Sequence, residues 1–402
     1  MNTAAILKEL ISIPSVNTMG RNVSGPIYGE SRLSDWLMGY LRSIGATCER
    51  ISVSDGHDNV VALFAGQRAD RTLLLDVHQD TVPIEGMTID PFGAEVRNGR
   101  IYGRGASDVK GSMAAMLAAF ARLYTERPQN TPNVLLSLTC DEENTATGIT
   151  DLVNYWQTRA GASELISTPP DAAIVAEPTD LNAVIAHRGV LRFRVRTRGR
   201  ACHSSDPTQG DNAIYRMAPV IAALEQEAAR LASCSVRPDS TDSVPTEAER
   251  CGPPTLSVGV IHGGLSVNIV PDECVIEIDR RLIPGEDPLQ VHAELAHAIH
   301  TAVPQAECEP PWINCSALSP ANNQWLAERV LQQTASVVGK RSAVVVPYCT
   351  NASALSGAGV PTIVFGPGSI EQAHTCDEFI ELAQVDHAAD IYYRICLNIF
   401  DQ

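Results

Sequence analysis

Short apolar runs and helical-period segments alternate through the first 190 or so residues, the pattern of a largely parallel α/β sheet. Runs at 59–65, 72–77, 133–140 and 172–176 read as buried strands, with helices predicted over 31–44 and 109–126. In the first helix Leu33, Leu37, Leu41 and Ile44 share one face, and Gly45 supplies a C-terminal stop. From Arg188 the period changes: Leu191, Phe193 and Val195 alternate with Arg192, Arg194 and Arg196, as in a strand with one wet face. A helix at 212–232, a polar stretch at 235–254 read as a mobile loop, strands at 255–261 and 274–282, and a helix at 288–302 follow. After residue 309 the earlier style returns, with strands at 343–347 and 361–365. The expected architecture is α/β: a mixed, largely parallel sheet with helices on both faces, built from 1–187 and 309–402, interrupted by a smaller α+β domain at 188–308.

Composition narrows the function classes. The chain has 402 residues, enough for two domains, and 47 acidic against 30 basic side chains give a net charge of −17. A phosphate-binding surface needs the opposite balance, so nucleic acid is not an expected partner. No stretch reaches the ~18 apolar residues of a membrane span, and the first residues lack the pattern of a secretory signal. Eleven cysteines, an odd number without a C-x-x-C pair, read as thiols in a reducing compartment, and a cytoplasmic location is expected.

Candidate chemistry sits directly after the predicted strands. His78 and Asp80 follow the run 72–77 at a spacing that lets the carboxylate orient the imidazole, as the groups behind a metal ligand do; a loop-stabilising pair is the alternative. Asp108 stands at the opening of the alanine-rich helix, where a carboxylate also serves as a cap. Asp141, Glu142 and Glu143 end the run 133–140; they form either an exposed acidic turn or a ligand set at a strand's carboxyl edge. Glu177, held extended by Pro178, ends another strand, and His374 follows a glycine-rich turn after a sixth. Imidazole and carboxylate donors together suit zinc, cobalt or manganese. One aspartate bridging two ions is one reading of this set, and ordinary polar loops are the other.

These pieces occur as HQDTVP (78–83), GRGASDVKGSMAA (103–115), DEE (141–143), EPT (177–179), HSSDP (203–207), NIVP (268–271) and GPGSIEQAHTCDEF (366–379). In that order they resemble the dinuclear-zinc amidohydrolases and exopeptidases that include acetylornithine deacetylase, succinyl-diaminopimelate desuccinylase, aminoacylase and glutamate carboxypeptidases. The resemblance implies two divalent ions, zinc first with cobalt or manganese as alternatives, held by His78 and Glu177 on one side and Glu143 and His374 on the other. It places Asp108 between them, Asp80 behind His78 and Glu142 as general base. It also implies that the inserted domain is a lid and dimerisation domain, in which His203 reaches a partner's site in a homodimer. Asn268 and Arg281 match lid positions that contact substrate; for Arg281 a structural pair with Asp279 competes with that role. The segments 348–352, 261–264 and 366–374 are most similar to acetylornithine deacetylases, except that Asn351 replaces an expected glutamate. The implied activity is hydrolysis of an N-acyl amino acid, acetylornithine leading, with succinyl-diaminopimelate or a dipeptide-like amide as alternatives. A non-catalytic protein on the same fold would have lost Glu142 or a ligand. A serine or cysteine hydrolase would need a G-x-S-x-G elbow, which is missing, or a reactive Cys140, which the adjacent acids disfavour.

Overall fold

A computed structural model of the protein describes residues 2–158, 163, 165–233 and 250–401. The chain divides into two compact units: residues 1–185, 320–344 and 350–402 form the first, and 186–319 with 345–349 the second. The expected return to the first unit at 309 comes instead at Pro320, because Glu307–Cys308 and Ile313–Cys315 both pair with Gly189–Arg198 and extend the second unit's sheet.

The first unit is built on an eight-stranded sheet in the order Thr47–Ser54, His57–Phe64, Pro132–Thr139, Arg68–His78, Ala172–Val175, Thr362–Val364, Ala183–His187, Ala343–Val346. Its middle four strands are parallel, and the flanking His57–Phe64 and Ala183–His187 run antiparallel to them. Leu73, Leu74, Leu75 and Val77 are all buried, as are Val134, Leu135, Leu136 and Leu138, so both faces of these strands are covered. The helix Gly111–Glu126 packs against Thr3–Ser12 and Leu382–Asn398, while Thr147–Thr158 packs against Ala352–Gly357. Asn2 caps Thr3–Ser12 by accepting the Ala5 amide at 2.9 Å. The helix Ser31–Ser43 stops as expected: Gly45 adopts φ +82 and the Ala46 amide turns back to the Leu41 carbonyl.

Register fixes where the chemistry emerges. His78 lies opposite Thr139, and Asp76 opposite Val175, in the parallel ladders. The residues following those strands, 79–80, 140–143 and 176–177, therefore leave the sheet at one carboxyl edge, where open α/β sheets place their ligands.

In the second unit the sheet order is Thr255–Gly263, Glu273–Leu282, Gly189–Arg198, Glu307–Cys308. The predicted alternation holds: Leu191, Phe193 and Val195 join Cys274, Ile276 and Ile278 in a core closed by the helices Ala213–Ser233 and Pro288–Ala302. On the wet face directly opposed residues pair by charge, Arg192 with Asp279 at 2.8 Å and Arg194 with Glu277 at 2.9 Å. Of the loop expected at 235–254, residues 235–249 lie outside the described residues. Among the described residues no helix is long and apolar enough to cross a membrane.

Candidate metal centre

Six of the predicted residues converge at the carboxyl edge of the first unit's sheet. The Nε2 of His78 stands 3.2 Å from Asp108 Oδ1 and 3.9 Å from Glu177 Oε1. The Nε2 of His374 stands 3.4 Å from Asp108 Oδ2 and 3.3 Å from Glu143 Oε2. Asp108 thus offers one oxygen to each imidazole and sits between them. It does not cap the following helix; residues Ala106–Lys110 form a wide turn that directs its carboxylate into the centre.

Asp80 does more than stand behind His78. His78 Nδ1 lies 3.0 Å from the Asp80 carbonyl and 3.4 Å from its carboxylate. The same carboxylate accepts the amides of Glu142 and Glu143, each at 3.0 Å, and the Asn17 side chain at 2.8 Å. One buried acid therefore orients an imidazole and fixes the backbone of the acidic turn. Asp141 is not a candidate ligand: at φ +56 it opens that turn, its carboxylate is taken by Asn17, Thr145 and Thr147, and its amide donates to Glu30 at 3.0 Å.

Electrostatics show what this cluster suits. Burial, reinforced by neighbouring carboxylates, pushes Glu142 and Glu177 well above the usual carboxylate range and Glu143 to about 7. Burial also opposes charge on Asp108 and His78, yet hydrogen bonds from His374 and His78 hold the aspartate low, and those to Asp108 and Asp80 hold His78 high. Hydrogen bonds to Asp108 and Glu143 raise His374 to about 10. Acids this crowded and this dry need positive charge, and a divalent cation supplies it. Two sets of donor atoms lie within 4.8 Å of one another: His78, Glu142 and Glu177, and His78, Asp108 and Glu143. Glu143 Oε1 is buried without a hydrogen-bond partner. Nitrogen and oxygen donors, an orphaned carboxylate oxygen and a shared aspartate all fit two borderline divalent ions.

Behind the acidic turn, His57 Nδ1 lies 2.8 Å from the fully buried Glu30 carboxylate. The hydrogen bond to Glu30 outweighs burial and lifts His57 from 6.5 to about 9. A histidine raised on folding stabilises fully below its unfolded pKa and loses that contribution as pH rises to its folded value. The expected outcome is a thermal midpoint that falls between pH 6.5 and 9 in the wild type and falls less in His57→Gln. Parallel melting curves for the two proteins would remove the pair from the stability account.

Four expected residues lie elsewhere. Asn351, in the first unit, is buried, and its amide donates to Asp76 at 3.1 Å and Thr139 at 3.0 Å. In the second unit His203 lies on a two-residue strand paired with Ile269–Val270, adjacent to Asn268, whose carbonyl accepts the Ser204 amide. His203 Nδ1 accepts the Ser205 amide at 3.1 Å, which leaves Nε2 as the nitrogen that carries the proton. Arg281 donates to Asp279 at 2.8 Å, the structural pair weighed against substrate contact. Cys140 is a buried free thiol pushed far up by burial and by Glu30, Asp80 and Asp141, so it is no nucleophile. Glu30, Asn17 and His57 are not apparent from sequence, since they belong to no motif and act only through tertiary contacts.

The pattern of Peptidase family M20/M25/M40 matches residues 74–398. The acetylornithine deacetylase of Vibrio atlanticus is 30% identical over 393 residues, covering 96% of this chain and 95% of that one. That of Photorhabdus laumondii is 32% identical over 94% of this chain and 92% of its own. Among solved structures, the M20 metallo-carboxypeptidase Sso-CP2 of Sulfolobus solfataricus superposes with a TM-score of 0.79 at 20% identity, covering 99% of both chains. A dinuclear metal-binding M20 peptidase of Bacillus subtilis gives 0.67 at 15% identity, over 98% and 96%.

Proposed function

Because this chain belongs to Peptidase family M20/M25/M40, and is a metal-dependent hydrolase, we propose that it cleaves the amide bond of N-acyl amino acids, with acetylornithine the leading substrate. The observation that carries the reading is the shared Asp108 between two histidine–carboxylate sets, with Glu142 beside them. His78 and Glu177 would hold one ion, His374 and Glu143 the other, with Asp108 common to both and zinc the first choice. When bound, the ions acidify water towards a pKa of about 7 and neutralise charge that develops on the scissile oxygen.

The chain's own residues handle the proton. Glu143 is engaged with His374 at 3.3 Å, whereas Glu142 makes no ion pair among the described residues and lies within the His78–Glu177 group. Burial makes its carboxylate a stronger base than a free one, and with cation charge balancing the neighbouring acids it can take a proton from water and deliver it to the departing amine. Asp80 keeps Glu142 in place through the backbone amide, and keeps His78 in the tautomer that presents Nε2 to the centre.

His203, with Asn268 beside it, is proposed to polarise the acyl oxygen from a partner subunit of a homodimer. Support comes from the outer edge of the second unit's sheet: Thr255–Gly263 has no further strand beyond it among the described residues, and Ile261, Leu265 and Val267 are exposed around it, the last two by 93% and 100%. A cytoplasmic location accords with the cysteine usage, and acetylornithine hydrolysis would serve arginine biosynthesis.

One observation favours a second reading of the substrate. Asn351 is neutral and its amide is committed to Asp76 and Thr139, so position 351 offers no carboxylate for an ammonium-bearing side chain. An N-acyl amino acid with an uncharged side chain is the alternative. Amine release with zinc- or cobalt-loaded protein from acetylornithine, acetylcitrulline, acetylmethionine and succinyl-diaminopimelate decides between them. Preference for acetylornithine supports the leading reading, preference for a neutral side chain supports the second, and no release from any member overturns both.

A further inference from the structure

Four residues after His374 the chain buries a carboxylate that the reaction described above does not use. Glu378 is fully buried. Its Oε1 accepts the backbone amides of Ser107 at 2.9 Å and Asp108 at 3.0 Å. Its Oε2 accepts the Gly105 amide at 3.0 Å and the Arg104 guanidinium at 2.8 Å. Its own carbonyl accepts the Gly103 amide at 3.0 Å. Every donor comes from the loop 103–108, which carries the aspartate between the two imidazoles, while Glu378 itself belongs to the loop that carries His374.

Such a loop needs an anchor. Its amides point inward rather than into a helix or ladder, and four buried donors without acceptors would be costly. Gly105 adopts φ +83, and a Cβ there would come within 2.8 Å of Thr81, so the turn has no slack for another path. The Ser107 hydroxyl adds a second stitch, donating to the Ser369 carbonyl at 3.2 Å. We propose that Glu378 is a positioning residue for the metal centre: by gripping the Asp108 amide it sets the distance between the bridging carboxylate and His374 before any cation arrives. The inference rests on the reading of Asp108 and His374 as ligands.

Glu378→Gln tests it. A glutamine has one acceptor oxygen, and its NH₂ must face either the amides of Ser107 and Asp108 or the Gly105 amide and the Arg104 guanidinium, donor against donor. The expected result is a folded variant whose affinity for zinc or cobalt, measured by competition with a chelator, falls about 10–100-fold. Its kcat falls in the same range with KM nearly unchanged. Glu378→Asp, which keeps both acceptors on a shorter stem, should recover part of the loss. A role confined to stability would lower the melting temperature while the folded fraction kept wild-type affinity, and that result overturns the proposal.

Amide exchange on the wild type gives a reading independent of whether the variants fold. The Ser107 and Asp108 amides should be protected in chelated and metal-loaded protein alike, whereas exchange at loop rates in the chelated form would show that no anchor exists before the cation. Wild-type protein that binds no cation overturns the metal-site reading and this inference with it. Normal wild-type binding with unaltered Glu378→Gln affinity overturns this inference alone.

Discussion

Glu142→Gln should lower kcat by about 10²–10⁴-fold, the range for loss of a positioned general base, with KM and metal content changed little. The substitution keeps the volume of a half-buried side chain and leaves untouched the backbone amide that donates to Asp80 at 3.0 Å, so the acidic turn should keep its shape. Glu143, His78 and Glu177 retain their own contacts, and cation binding should survive. The effect is therefore expected in turnover alone, read from steady-state kinetics alongside the metal content of the same preparation. Turnover within a few-fold of wild type would remove Glu142 from the proton path. Normal turnover in Glu142→Gln with loss in Glu143→Gln would exchange the two roles.

Asp108→Asn should act on binding first. Among the described residues Asp108 is the one carboxylate that meets both imidazoles, at 3.2 Å from His78 and 3.4 Å from His374. Replacing it by an amide removes a full negative charge from the middle of the centre and leaves one oxygen where two were used. Loss of a group that merely supports a ligand typically costs 10–100-fold in metal affinity; loss of a ligand common to both ions should exceed about 100-fold. Hydrolysis should fall with it, and excess zinc should restore little, because the two sets no longer share a bridge. Dialysis followed by elemental analysis provides the check. A variant that still holds two ions at wild-type affinity would show that Asp108 is not their common ligand.

The legible part of the centre was the part placed by strand ends. His78, Glu142, Glu143 and Glu177 follow apolar runs directly, and the parallel register that aligns His78 with Thr139 brings them to one edge. Asp108 and His374 arrive by loops, and only their motifs mark them. The supporting groups are harder to read because their partners are distant in sequence: Glu30 meets Asp141 across 111 positions, and Glu378 meets Asp108 across 270. Glu378 even stands inside the segment 366–379, yet nothing in that string shows that its carboxylate faces four residues of another loop. Asn351 shows the opposite limit. Resemblance marks its position, but its side-chain contacts depend on Asp76, whose neighbouring strand residues give no hint of the pair.

Secondary structure divides the same way. Continuous apolar strands and the alternating strand Gly189–Arg198 are readable because burial on one or both faces dictates their pattern. The edge strand Thr47–Ser54, mostly wet, has no such pattern and forms through its antiparallel ladder with His57–Phe64. The helix Leu382–Asn398 lies outside the sequence expectations although Val385, Ala388, Ile391, Tyr392 and Ile395 make a buried helical stripe. The three-residue strands at Glu95–Arg97, Arg100–Tyr102 and Phe379–Glu381 are too short for any periodicity and exist only as one another's partners.

The most direct test of the central claim is a cation titration of chelated wild-type protein, following amine release from its preferred N-acyl amino acid. The arrangement of His78, Asp108, Glu143, Glu177 and His374 predicts no turnover in the chelated protein and recovery that reaches its plateau by about two equivalents of zinc or cobalt. Turnover that persists through chelation, or that never depends on added cation, would contradict a metal-dependent hydrolase built on these residues.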